Sequence, residues 1–156
     1  GNVYYQVKND LDKALEYYLQ AIKIRPGYMY VYSMVGSIYR KKKLYQLAES
    51  YLQEAILLGS AIPNTYYDIG WIRVHQKLYT EAIQCFHKVI QMAPKYIGAY
   101  NNLGISYHLS NDKIEAERYW NEGLKIDPNH KEILGNMKLF GAKIWHVAED
   151  QETGTQ

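Results

Sequence analysis

Cysteine is almost missing. Cys85 is the only one in 156 residues, which excludes an internal disulfide and a cysteine-built zinc site. Proline is scarce at four residues and phenylalanine scarcer at two. Neither sign of charge dominates: eighteen Lys and Arg stand against sixteen Asp and Glu, a net +2. Charge alone therefore points to neither nucleic acid nor a membrane surface. No apolar run approaches the roughly 20 residues of a membrane span. The sequence also lacks a glycine-rich phosphate loop, a metalloprotease histidine pair and a nucleophile elbow. No cofactor and no catalysis are expected. What is abundant is tyrosine, 17 residues in a chain that is 47% hydrophobic. Such a composition is not disordered, and a tyrosine suits half-buried positions by packing its ring and keeping a polar tip.

The tyrosines recur in register. Gly36, Gly70 and Gly104 are spaced 34 residues apart. Each has an alanine twelve residues on (Ala48, Ala82, Ala116) and a bulky residue sixteen on (Leu52, Phe86, Trp120). Tyr32, Tyr66 and Tyr100 precede each glycine by four, and Val35, Ile69 and Leu103 by one. Pro94 and Pro128 follow the later glycines by 24, where Ser60 stands in the earliest of the three units. Gly1, Ala14 and Pro26 form a weaker copy with one extra residue near Lys8–Asp10.

Tyr100, Leu103, Gly104 and Tyr107 make one helical stripe, and Ala116, Tyr119, Trp120 and Gly123 make another. The small residues allow two helices to approach closely, and proline ends the second. Each unit is a helical hairpin that cannot bury its apolar face alone.

The run Tyr100, Leu103-Gly104, Tyr107, Ala116, Trp120, Pro128 resembles the tetratricopeptide repeat. The likeness covers residues 1 to about 130 and departs at Arg73, where a tyrosine is expected, and at Ser60. Arg73 is expected to bury its stem and expose its head, and Pro63 to open the helix after a looser turn at Ser60. The resemblance implies an all-α solenoid, a right-handed superhelix of helical hairpins with a C-terminal capping helix. Helices are predicted at 1–8, 11–24, 29–42, 45–58, 63–76, 79–92, 97–110, 113–126 and 131–147. The domain reading is four repeats over 1–130, the first partial and truncated, a capping helix over 131–147 and a polar tail over 148–156. The cap carries Ile133, Leu134, Met137, Phe140, Ile144 and Trp145 as its apolar side, with Lys138 in the glycine place. Because the chain opens at Gly1 within a predicted element, further repeats are expected upstream, and the open end offers a surface for self-association. A targeting segment of a longer parent would be invisible here, so the compartment is unknown, with the cytoplasm as the default.

In this family the first helices line a concave groove that holds peptides. Carried onto this chain, the groove-facing stripe has Tyr30, Ser33, Ser37, Arg40 and Lys41 in the second repeat. It has Asn64, Tyr67, Trp71, Val74 and His75 in the third, and Gly98, Asn101, Ile105, His108 and Leu109 in the fourth. Asn2, Tyr5 and Gln6 belong to the first. Tyr67, Trp71, Asn101 and Ile105 are expected to frame one pocket for an apolar side chain, with Asn101 bonding the partner's backbone. Arg40 and Lys41, within the Arg40–Lys43 charge run, are expected to form a basic end for an acidic segment. The expected partner is thus a protein or peptide segment, acidic with an apolar anchor, and neither nucleic acid nor an inserted membrane. Of the family's carboxylate clamp for chaperone tails only Asn2 fits, since Met34, Asn64 and Asp68 occupy later places. Two alternatives stay open: a self-assembly module, or an accessory repeat region of a larger enzyme. His75 and His108 lie near the ends of neighbouring first helices with no further ligands in view, so no metal is expected. Cys85 reads as a half-buried small hydrophobe.

Overall fold

A computed structural model describes residues 10–144 of the chain. The predicted helix at 1–8, with Asn2, Tyr5 and Gln6, lies outside the described residues, as do Trp145 and the polar tail. Eight helices are present among those described. They are α1 (Leu11–Ile24), α2 (Met29–Lys41), α3 (Tyr45–Leu57), α4 (Pro63–His75), α5 (Tyr79–Met92), α6 (Ile97–Leu109), α7 (Lys113–Ile126) and α8 (Lys131–Phe140). The first seven end within one residue of the predicted limits. The pairs α2–α3, α4–α5 and α6–α7 are antiparallel hairpins, and the first helices α2, α4 and α6 pack in series beside one another. This is the expected all-α solenoid.

The small-residue seam is where the hairpins close. A Cβ placed on Gly36 would lie 2.5 Å from Leu52 Cγ, on Gly70 2.8 Å from Phe86 Cε1, and on Gly104 2.3 Å from Trp120 Nε1. Leu52, Phe86 and Trp120 are themselves fully buried, as are Ala48 and Ala82. The glycine and the bulky residue sixteen positions later are therefore two halves of one contact. Ser60 turns inward, buried, with its hydroxyl 3.3 Å from that of Thr65, and Pro63 opens α4 as expected.

The turn inside each hairpin needs a left-handed residue. Lys43, Lys77 and Asn111 sit there at φ of 61°, 62° and 69°. These positions again repeat every 34 residues. Asparagine tolerates this region, whereas lysine gains nothing from it and bears a cost of about 1–2 kcal/mol. Lys77→Gly relieves that cost and loses part of the gain to backbone entropy. We expect a net stabilisation of about 0.5–1 kcal/mol, read from urea unfolding midpoints.

The last helix is shorter than predicted. It stops at Phe140, because Gly141 adopts the left-handed conformation (φ 69°) and Ala142 N–H turns back to the Met137 carbonyl at 2.9 Å. A glycine just past a helix is the common stop; the apolar spacing of Ile144 and Trp145 had carried the prediction through it. Ile144 is 48% exposed and takes no part in the apolar side. The chain instead folds onto α7: Asn121 Nδ2 donates to the Lys143 carbonyl at 2.9 Å, and Lys143 N–H donates to Glu117 at 3.1 Å. Ile133 and Met137 of α8 are buried with Ala116, Trp120 and Leu124 of α7. That cluster covers the final hairpin.

Candidate functional site

The face that α2, α4 and α6 turn away from their partner helices divides into three zones. At its centre Tyr67 leans from α4 toward α6. Its ring lies 5.1 Å from Tyr96 and 5.8 Å from Phe86, with the Asn102 side chain beside its hydroxyl. The ring fits because Gly98 has no side chain: a Cβ there would stand 3.3 Å from the Tyr67 hydroxyl. Tyr96 in turn donates its hydroxyl to Asn64 Oδ1 at 2.7 Å. Burial raises the pKa of both phenols, that of Tyr96 to about 12. They are neutral hydrogen-bonding groups, not anions.

Trp71, one turn on, leans the other way. Its ring lies 5.7 Å from Tyr45 of α3 and stacks at 3.5 Å on His75, whose Nδ1 is 3.0 Å from the Trp71 carbonyl. The Arg40 guanidinium lies 5.0 Å from the indole. Tyr67 and Trp71 therefore lean on different neighbours, Tyr67 on Tyr96 and Phe86 and Trp71 on Tyr45 and His75.

Arg40 is not a free basic end. Its Nε is 2.6 Å from Asp68 Oδ1, and the two side chains are only 16% and 4% exposed. Ser37 donates to the other carboxylate oxygen. Burial pushes the Asp68 carboxyl above its usual range, with Arg40 and Ser37 pulling it partly back. Ser33 is also internal, buried with its hydroxyl 2.7 Å from that of Thr65. Lys41 is exposed at the end of α2.

The third zone is covered by α8. Asn101 is buried; its side-chain oxygen accepts from Asn136 Nδ2 at 2.8 Å and its carbonyl from Trp120 Nε1 at 3.1 Å. Ile105 packs in the cluster of α7 and α8, and the His108 ring lies 4.3 Å from Phe140. These three residues hold the terminal helix. His75 and His108 are engaged with different rings, on Trp71 and Phe140, and do not form a pair. On this face Tyr30, 38% exposed, Lys41, Asn64, His75 and Leu109 are exposed, and Tyr67 and Trp71 are partly buried.

The opposite surface explains Arg73. In the neighbouring units the corresponding tyrosines pair with a second-helix tyrosine: Tyr39 with Tyr51 at 5.4 Å, and Tyr107 with Tyr119 at 5.3 Å. In the third unit Arg73 and Cys85 take both places. The arginine head is not free in solvent; it binds Glu49 of α3, Glu81 of α5 at 2.8 Å and Gln76 at 2.6 Å. It joins three helices by charge instead of by ring stacking, and it holds the Glu49 carboxyl below its usual range. Burial pushes the Cys85 thiol up to about 11, so it stays protonated at neutral pH. Among the described residues no group of His, Cys, Asp and Glu has a metal-binding arrangement, and no helix is long and apolar enough to cross a membrane.

A stack of helical hairpins with one face of polar and aromatic side chains left open is a protein–protein interaction scaffold. Tetratricopeptide repeat models match residues 1–28, 30–58, 63–96 and 97–130. The chain belongs to the tetratricopeptide repeat family. It is 23% identical over 141 residues to the tetratricopeptide repeat-containing protein trd-1 of Caenorhabditis elegans, covering 90% of this chain. It is 24% identical over 161 residues to the human protein O-mannosyl-transferase TMTC3, covering 92%. In both cases it spans 18% of the relative's length. The protein ycf37 of Cyanophora paradoxa, described as uncharacterized, is 34% identical over 112 residues, which are 69% of this chain and 64% of that one. Among solved structures, MamA aligns at a TM-score of 0.74 and 21% identity over 88% of this chain and 82% of its own. PilF of Pseudomonas aeruginosa aligns at 0.77 and 19%, over 87% and 62%. Both likenesses are of fold.

Proposed function

We propose that the chain binds an extended peptide segment of a partner protein across α2 and α4, centred on Trp71 and Tyr67. The observation that carries this reading is the set of partly buried rings of Trp71, Tyr67 and Tyr96 on α4 and at the start of α6, with Tyr30 exposed at the start of α2. Hydrogen-bonding groups of Asn64, Asn102 and His75 lie beside it. Aromatic side chains with polar neighbours dominate binding energy at interfaces. The Arg40–Asp68 pair neutralises itself, so the anchor recognised here is apolar, and any acidic preference falls to Lys41 at the edge. The fit of the chain to 18% of its longer relatives supports a second reading on the larger scale: a repeat region that brings a partner to the rest of a longer protein.

The test is selection of binders from a displayed random-peptide library on the wild-type chain. Calorimetry then compares wild type with Trp71→Ala. Removing a buried tryptophan anchor typically costs about 2 kcal/mol or more, roughly thirtyfold in Kd. We expect that loss with the helical circular dichroism retained. Unchanged affinity would remove Trp71 from the site.

A further inference from the structure

The hydrogen-bonding groups left open along α4 are mostly donors. Asn64 accepts from the Tyr96 hydroxyl with its side-chain oxygen at 2.7 Å, which leaves its amide Nδ2 without a partner among the described residues. Trp71 is engaged through its ring, by Tyr45, His75 and Arg40, and its indole N–H has no acceptor there either. Both nitrogens are open to solvent. The acceptors beside them are spent. Asn64 Oδ1 goes to Tyr96, the Asp68 carboxylate to Arg40 and Ser37, and the Trp71 carbonyl to His75. A carbonyl only accepts, so that last bond fixes the imidazole proton on Nδ1 and leaves His75 Nε2 as an acceptor only at the exposed end of α4.

The spacing of the two donors is also informative. Asn64 and Trp71 stand seven residues apart on one helix, about 10.5 Å along its axis. Tyr67 lies between them with its ring against Tyr96. A polyproline II segment turns once in three residues, about 9.3 Å, so carbonyls three residues apart on one of its edges match the two donors. Proline has no N–H. Such a segment brings acceptors and no donors, the complement of this face. An ordinary extended peptide brings an N–H with every residue and finds the acceptors taken, and an α-helix spends its carbonyls internally. Charge agrees. Lys41, which acts on Asp68, and Glu132, which acts on Tyr67, flank the face with opposite signs, and Arg40 is paired. An uncharged segment suits that balance.

Building on the peptide-binding role proposed for this face, we propose that the bound segment is proline-rich and lies on it as a polyproline II helix. It runs obliquely along α4, from the Tyr96 edge to the Arg40 edge. Asn64 Nδ2 and Trp71 Nε1 each donate to a backbone carbonyl of the segment. The rings of Tyr67, Tyr96 and Trp71 carry its pyrrolidine rings, which are the apolar anchors. The segment is extended before it binds, so it loses little conformational freedom. That favours a shallow face whose own rings are held by their neighbours.

The probe is fluorescein-labelled L-decaproline, measured by anisotropy on the full chain, with D-decaproline as its mirror image. We expect saturable binding of the L form and much weaker binding of the D form, whose helix has the opposite hand. Asn64→Asp keeps the acceptor for Tyr96 and replaces the donor with a carboxylate. It stands in the first turn of α4, where negative charge is favoured, so the fold is retained while the L form binds about tenfold more weakly. Trp71→Phe keeps a ring without the N–H and should cost about fivefold. Circular dichroism melts confirm that both variants are folded. Equal affinity for the two mirror forms, no saturable binding of the L form, or full affinity in either variant overturns the proline-rich ligand. Library-selected peptides that contain no proline and still depend on Trp71 overturn it as well, while the peptide site stands. Unchanged affinity of those peptides in Trp71→Ala removes the site and the ligand class together.

Discussion

Gly104→Leu should destabilise the chain by about 3 kcal/mol, the upper part of the overpacking range, and lower its melting temperature by about 6–12 °C. The first added atom alone would stand 2.3 Å from Trp120 Nε1 and 2.4 Å from Cε2. Trp120 has nowhere to retreat. It is fully buried, stacks 5.7 Å from Phe140, and donates its indole N–H to the Asn101 carbonyl. Displacing the ring also loosens Asn101, which holds Asn136 of α8. The damage should therefore concentrate at the C-terminal end, because coupling in such arrays runs between neighbours. Hydrogen exchange should show α6, α7 and α8 opening before α2 and α3. Gly27→Ala is the control: its Cβ would meet nothing within 4 Å. Uniform opening along the array, or a melt unchanged by Gly104→Leu, would contradict the seam.

The fold was legible because its constraints are spelled by small and rigid residues at fixed intervals. A glycine facing Trp120, an alanine beside it and a proline after it leave few other structures. The terminal helix was misjudged for the converse reason. Its apolar spacing ran on through Ile144, and a single left-handed glycine outweighed it.

The open face was legible as a stripe but not as a surface. Helical spacing assigns Ser33, Arg40 and Asn101 to the right side of α2 and α6. It does not reveal that Thr65, Asp68 and Asn136 are waiting opposite. A signal for this was present. The cross-repeat bonds Ser33–Thr65, Ser37–Asp68, Asn64–Tyr96 and Asn101–Asn136 span 31 to 35 residues, about one repeat. Asp68 carried the wrong sign for a carboxylate clamp, and that sign is what Arg40 requires.

Asp68→Leu should cost about 3 kcal/mol. Removing one member of a buried ion pair strands the other, at about 3–5 kcal/mol; the residual 16% exposure of Arg40 places the effect at the low end. The lost carboxylate also leaves Ser37 without its acceptor. Arg40→Met in the same chain should restore most of the stability, because the charge is then gone from both sides. Asp68→Asn should cost less at pH 7 than Asp68→Leu, because the amide oxygen still accepts from its neighbours Ser37 and Arg40. The Asp68 carboxyl is raised above 3.8, chiefly by burial. The folded state keeps this proton to higher pH than the unfolded chain does, so ionisation of Asp68 opposes folding. Its contribution is most favourable below pH 3.8 and is lost as pH rises through the folded value. Melting curves of wild type and Asp68→Asn, recorded upward from about pH 3, should therefore show wild type losing ground to the variant. If wild type gains instead, the attraction of Arg40 exceeds the burial cost, and the pair stabilises the fold through its charge.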